Sequence, residues 1–111
     1  MELHPCFGVY SASKAAIRQL ARVWASELAP RSIRVNVLVP GPTDTPGLRG
    51  IAEDPAGVDR LLADMAVSVP MSRLAQPSEI AAVALFLASD QSSFMTGREV
   101  FADGGEVQVY R

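Results

Sequence analysis

The chain has 111 residues, 49% of them hydrophobic and 20% charged, which suits one globular domain with room for a modest core. A net charge of −2 and a pI near 5.3, with no Arg/Lys cluster interleaved with aromatics, argue against nucleic-acid binding. A single cysteine, Cys6, excludes an internal disulfide framework and fits a reducing, cytoplasmic setting.

Met1 to Gly8 contains Pro5 and Gly8 and reads as a loop or a frayed terminus. It shows no basic-then-apolar leader pattern. Cys6 has only His4 near it and reads as an inert thiol. From Val9 to Leu28 there is no Gly or Pro, and Ile17, Leu20, Ala21, Trp24 and Leu28 recur at offsets of three and four. That spacing predicts a helix. Tyr10 and Lys14 then lie one turn apart on one face. An ammonium beside a phenol favours the phenolate, and a phenol tuned in that way is a usable general acid/base. Lys14 is the only lysine, every other basic residue being Arg. Either a compact ammonium is needed at this point or the composition is accidental.

Pro30 predicts the helix end near Ala29, with Arg31 and Ser32 in the turn. Ile33 to Val39 is β-branched and alternating, the pattern of a strand with one apolar face. Helix followed by strand suggests an α/β layered arrangement. Pro40-Gly41-Pro42-Thr43-Asp44-Thr45-Pro46 follows at the strand's C-terminal end, where open α/β sheets bind ligands. Gly41 permits a close backbone approach, and Thr43 and Thr45 offer polar groups. The alternative is a Pro-stiffened turn.

Gly47 to Met71 is punctuated by glycines and carries Val58, Leu61, Leu62 and Met65 at helical spacing. It reads as a lid or as an ordinary connection. Gln76-Pro77-Ser78-Glu79 starts a helix. Its apolar run, Ile80 to Ala88, is too short for a membrane span. That helix is apolar nearly all round, which predicts burial on several sides, against a second subunit or against further chain. Thr96-Gly97-Arg98 reads as a turn, Glu99 to Ala102 as a short strand closed by Asp103-Gly104-Gly105. Val107, Val109 and Tyr110 form a last alternating apolar patch.

The order of these features resembles the C-terminal half of a short-chain dehydrogenase/reductase. The matching pieces are Tyr10-Ser11-Ala12-Ser13-Lys14, Ile33-Arg34-Val35-Asn36 before Pro40-Gly41, and Thr43-Asp44-Thr45-Pro46. They continue with Gln76-Pro77-Ser78-Glu79-Ile80, Phe86-Leu87-Ala88-Ser89, Thr96-Gly97 and Asp103-Gly104-Gly105. The resemblance implies an α/β chain forming the C-terminal part of a Rossmann-like three-layer α/β/α fold, without its first strands and Gly-rich loop. It divides the chain into a catalytic helix (8–29), a strand and cofactor-side loop (33–46), a substrate loop (47–75) and a C-terminal helix and strand (76–111).

The implied activity moves a hydride between NAD or NADP and a small alcohol or ketone. In that scheme Tyr10 gives or takes the carbonyl proton, and Lys14 tunes Tyr10 and holds the nicotinamide ribose. Pro40 and Gly41 border the nicotinamide, the Thr43 backbone meets its carboxamide, and Thr45 reaches toward the phosphates. No metal is expected, and a homodimer or tetramer is. The eight glycines form no G-x-G pair, and the family's catalytic Ser and a further Asn lie upstream of what this sequence covers. No activity is therefore expected from these 111 residues alone. Ser11 and Ser13 do not stand in for that Ser. The other reading is a non-catalytic assembly module that associates through its apolar helices.

Overall fold

A computed structural model describes residues 8–107. In chain order it has α1 (Gly8–Leu28), a 3-10 turn (Ala29–Arg31), β1 (Val37–Pro40), α2 (Pro46–Arg49), α3 (Pro55–Val67), α4 (Pro77–Ala88), a second 3-10 turn (Asp90–Ser92) and β2 (Glu99–Ala102). The expected loop before Gly8, with Cys6, and the apolar positions Val109 and Tyr110 lie outside the described residues. Two compact units are present. One holds the residues up to Leu38 with Phe86–Val100, the other Val39–Leu85 with the residues from Phe101 on.

The sheet has two strands. Val37 N–H donates to the Arg98 carbonyl and Gly41 N–H to the Ala102 carbonyl, at 2.8 and 3.0 Å. The constant offset along both strands is the register of a parallel pair. The α/β class read from the sequence is therefore the observed one.

In the first unit, α1 stops where Pro30 predicts. Ser32 takes a left-handed φ of 57°, and Ile33 N–H returns to the Leu28 carbonyl at 3.2 Å, closing the helix end. The face of α1 that turns inward carries Ala21 and Ala25, the only buried residues of the helix. Gly97, at φ 71°, comes close to this face, since a Cβ there would meet the Ala25 methyl at 3.5 Å. Arg22 pairs with Glu99 at 3.0 Å and Arg18 with the same carboxylate at 3.9 Å. Both tie α1 to the first residue of β2.

The strand expected over Ile33 to Val39 is shorter and displaced, running Val37–Pro40. Residues 33–36 are engaged by a different partner. Val35 N–H donates to the Thr96 hydroxyl at 3.1 Å, and its carbonyl accepts from Gly97 N–H at 2.7 Å. Asn36 donates to the Met95 carbonyl and accepts from Arg98 N–H. The Arg34 guanidinium donates to Ser92 Oγ and to the carbonyls of Leu87, Ser89 and Met95, all within 3.2 Å. Leu87 and Ser89 stand at the C-terminal end of α4, where a cation meets the negative end of the helix dipole and carbonyls that also accept from Ser92.

In the second unit, α4 begins at Pro77 as expected. Glu79 reaches back to accept from Gln76 N–H at 2.7 Å, the return half of a capping box. Arg73 grips the same carboxylate with two N–H groups, at 2.7 and 2.9 Å. No residue of α4 is buried, and Leu85 is 71% exposed. The all-round burial expected of this helix is not supplied by the described residues. Its apolar sides were read correctly from composition, but the chain packs too little against them. The fully apolar core is correspondingly thin: Ala21 and Ala25 in the first unit, Val69 in the second.

Candidate active site

Tyr10 stands in the first turn of α1 and Lys14 one turn later. The Lys14 ammonium lies over the Tyr10 ring, 5.3 Å from its centroid, within the range of a cation–π contact. At about 100° per residue, Tyr10, Lys14, Ala21 and Ala25 all fall within about 60° of one another around the helix. The stripe that packs inward at Ala21 and Ala25 therefore continues to the pair at the other end. There it opens to solvent, with Tyr10 60% exposed. Ser13 Oγ donates to the Tyr10 carbonyl at 2.6 Å, so this hydroxyl is turned to the backbone.

Pro40, Gly41, Thr43 and Thr45 belong to the second unit. Pro40 ends β1, and the next residues turn away from the sheet. Gly41 is required here by its neighbour. A Cβ at this position would come within 2.6 Å of Asp103 Cα and 2.9 Å of its carbonyl oxygen, and backbone cannot yield as a flexible side chain does. The sequence suggests that Gly41 admits something close; in the fold, what comes close is Asp103, the residue after β2. Asp103 is buried, and its carboxylate accepts from Gly105 and Val107 N–H at 2.9 and 3.2 Å.

The two threonine hydroxyls are held differently. Thr43 Oγ1 donates to the Gly41 carbonyl at 2.9 Å, which leaves its lone pairs to accept. Thr45 is the N-cap of α2, its Oγ1 accepting from Leu48 N–H at 3.1 Å, and it keeps its own proton to donate. One hydroxyl suits an amide N–H and the other an anionic oxygen. A hydroxyl with a proton left to donate, as at Thr45, is compatible with a dinucleotide phosphate.

Sequence reasoning missed Asp44 and Arg49. Arg49 Nε and Nη2 donate to Asp44 Oδ1 and Oδ2 at 2.6 and 2.8 Å. This hydrogen-bonded guanidinium holds the Asp44 carboxyl below its ordinary range. The signal was available: Thr45 followed by Pro46 is an N-cap with Pro at the first helical position, hidden inside a Pro-rich stretch that reads as a turn. A hollow of about 350 Å³ also lies in this unit, bordered by Pro42, Met71, Ile80, Phe101, Arg73 and Glu79. None of the six site residues named from the sequence lines it.

The family model described as Enoyl-(Acyl carrier protein) reductase matches residues 2–106. Oxidoreductase asL5 of Sarocladium schorii is 48% identical over 105 residues, covering 95% of this chain and 40% of that protein. The chain thus spans about two-fifths of the length of the curated relatives it matches. A short chain dehydrogenase family protein from Francisella tularensis superposes with a TM-score of 0.87 at 37% identity, over 96% of this chain and 46% of that one. RhlG of Pseudomonas aeruginosa, solved as an NADP active-site complex, gives 0.79 at 39% identity, over 96% and 40%. With a family model matching nearly the whole chain, and relatives and solved structures alike in agreement, the chain belongs to the short-chain dehydrogenase/reductase family of oxidoreductases.

Proposed function

We propose that this chain carries the proton-transfer part of an oxidoreductase that uses NAD or NADP and acts on a small alcohol or ketone. The observation that supports it most is the Lys14 ammonium over the Tyr10 ring on an exposed stripe of α1. A nicotinamide cofactor supplies or accepts the hydride at the carbonyl carbon. Tyr10 gives its hydroxyl proton to the carbonyl oxygen in reduction and takes it back in oxidation. Lys14 supports that exchange by electrostatic attraction to the phenolate and holds the ribose. Pro40 and Gly41 border the nicotinamide, the Thr43 backbone holds the carboxamide, and the Thr45 hydroxyl donates toward the phosphates. Residues 47–75 form the substrate loop. The chain works in a reducing cytoplasm, as a homo-oligomer, and is inactive as these 111 residues alone.

Cofactor fluorescence titration with NADH and NADPH tests this reading. Saturable binding is expected to weaken in Lys14→Ala. In the enzyme to which these residues contribute, Tyr10→Phe is expected to lower turnover by about 10²–10⁴-fold while cofactor affinity stays within about twofold. Retained turnover in Tyr10→Phe would refute the proton-transfer role.

A second reading has one observation in its favour. Ile17, Leu20, Val23 and Trp24 of α1, and Leu85 and Phe86 of α4, are large apolar side chains left exposed. A non-catalytic module that associates through these helices would look the same. Absence of cofactor binding together with a defined dimer favours that module.

A further inference from the structure

The chain leaves the sheet after Pro40, passes Thr43, and comes back beside it at Ala75. Ala75 N–H donates to the Pro42 carbonyl and Asp44 N–H to the Ala75 carbonyl, both at 2.9 Å, in a parallel bridge between Thr43 and Ala75. Residues 46–74 are thus an excursion with a pinned neck. Its first element, α2, is only four residues long. One turn of helix does not sustain itself, because nucleation fixes several residues for a single hydrogen bond. Packing does little to hold it, since Pro46, Gly47, Arg49, Gly50 and Ile51 are all exposed.

Besides its own backbone hydrogen bonds and the half-buried Leu48, three local features hold α2 in place. Thr45 Oγ1 caps it, Pro46 presets its first φ, and the Arg49 guanidinium reaches from its last residue to Asp44 on the neck. Exposed ion pairs contribute little on average, but bidentate Arg–carboxylate geometry is the favourable exception. Asp44 also has a side chain only 17% exposed, so it is held more firmly than most surface carboxylates.

We propose that Arg49 is a positioning residue: by clasping Asp44 it fixes α2 to the pinned neck and so holds the Thr45 hydroxyl in place with its proton outward. Arg49 sets the joint between the neck and residues 46–74, the excursion that carries α3. The ligand of Thr45, a cofactor phosphate, rests on the proposed function; the clasp does not.

Amide hydrogen exchange on the full chain tests the clasp. Arg49→Gln is expected to speed exchange at Leu48, Gly50 and Ile51 by about two- to fivefold, the worth of a good exposed pair. The neck amide of Ala75 and the α3 amide of Val58 should stay unchanged. Arg49→Lys, which keeps the charge but not the two-pronged grip, should fall between. Asp44→Asn should match Arg49→Gln, and the double variant should be no worse than either. Unchanged exchange at residues 48–51, an equal rise at Ala75 and Val58, or additive single effects would each overturn the proposal. NADPH titration of the same variants reads the other question: no binding by the parent chain counts against the proposed function, while the exchange data still decide the clasp.

Discussion

At Gly41 the argument for glycine is steric and local. Any side chain there drives a Cβ to 2.6 Å from the Asp103 backbone, which cannot yield as the end of a flexible side chain does. Gly41→Ala is expected to destabilise the chain by about 1–3 kcal/mol, the usual range for overpacking. Gly47 is the control, because its Cβ would find only Thr45 Oγ1 at 4.0 Å. Alanine there suits helix better than glycine does, so Gly47→Ala should be neutral or stabilising by up to about 1 kcal/mol. Urea midpoints followed by circular dichroism distinguish the two; a harmless Gly41→Ala would refute the steric account. The Tyr10 and Lys14 pairing belongs to this scale too. It was legible because a spacing of four on a helix needs nothing but the helix. The Gly41–Asp103 contact was not, because 61 positions of chain separate the partners.

At the scale of elements, charge and capping decide where α4 begins. The Glu79 carboxyl is lowered to about 2 by the Arg73 guanidinium and then by Gln76 N–H. In the unfolded chain the same group titrates near the ordinary 4.5. A carboxyl depressed on folding contributes stability that is complete above the unfolded value and fades as pH falls toward the folded one. Stability is therefore expected to drop between about pH 5 and pH 2, and Glu79→Gln should flatten that part of the curve while lowering stability at pH 7. Urea midpoints across this range check it; identical slopes for parent and variant would remove Glu79 from the account. The start of α4 was readable because Pro77 and Glu79 act within one turn. The start of β1 was not. Ile33 and Val35 carry a strand pattern, yet the Val35 amide finds the Thr96 hydroxyl and not a strand, and Arg34 and Asn36 spend their donors on the turn that follows α4.

For the whole molecule, the decisive fact is how much apolar surface stays uncovered. Val9, Ile51, Val67, Leu85 and Phe94 are all exposed, and only three apolar side chains are buried among the described residues. Apolar area left in water drives association. Light scattering is expected to report a mass well above the 11.8 kDa of one chain, through self-association or through binding further polypeptide. A monodisperse folded monomer would contradict this. Among the described residues no helix is long and apolar enough to cross a membrane.

The sequence alone determined the elements whose signals act within a turn or two: α1 and its Tyr10–Lys14 pair, the end of α1 at Pro30, the start of α4 at Pro77, the short β2. It also determined the family, since the ordered set of short motifs survives without any knowledge of contacts. Only the tertiary structure decided the true extent of β1, the reason for glycine at position 41, and the partners of Arg34 and Arg49. Each of these depends on which backbone group or side chain arrives from elsewhere to take a hydrogen bond or occupy a volume. Local propensity carries no record of that arrival.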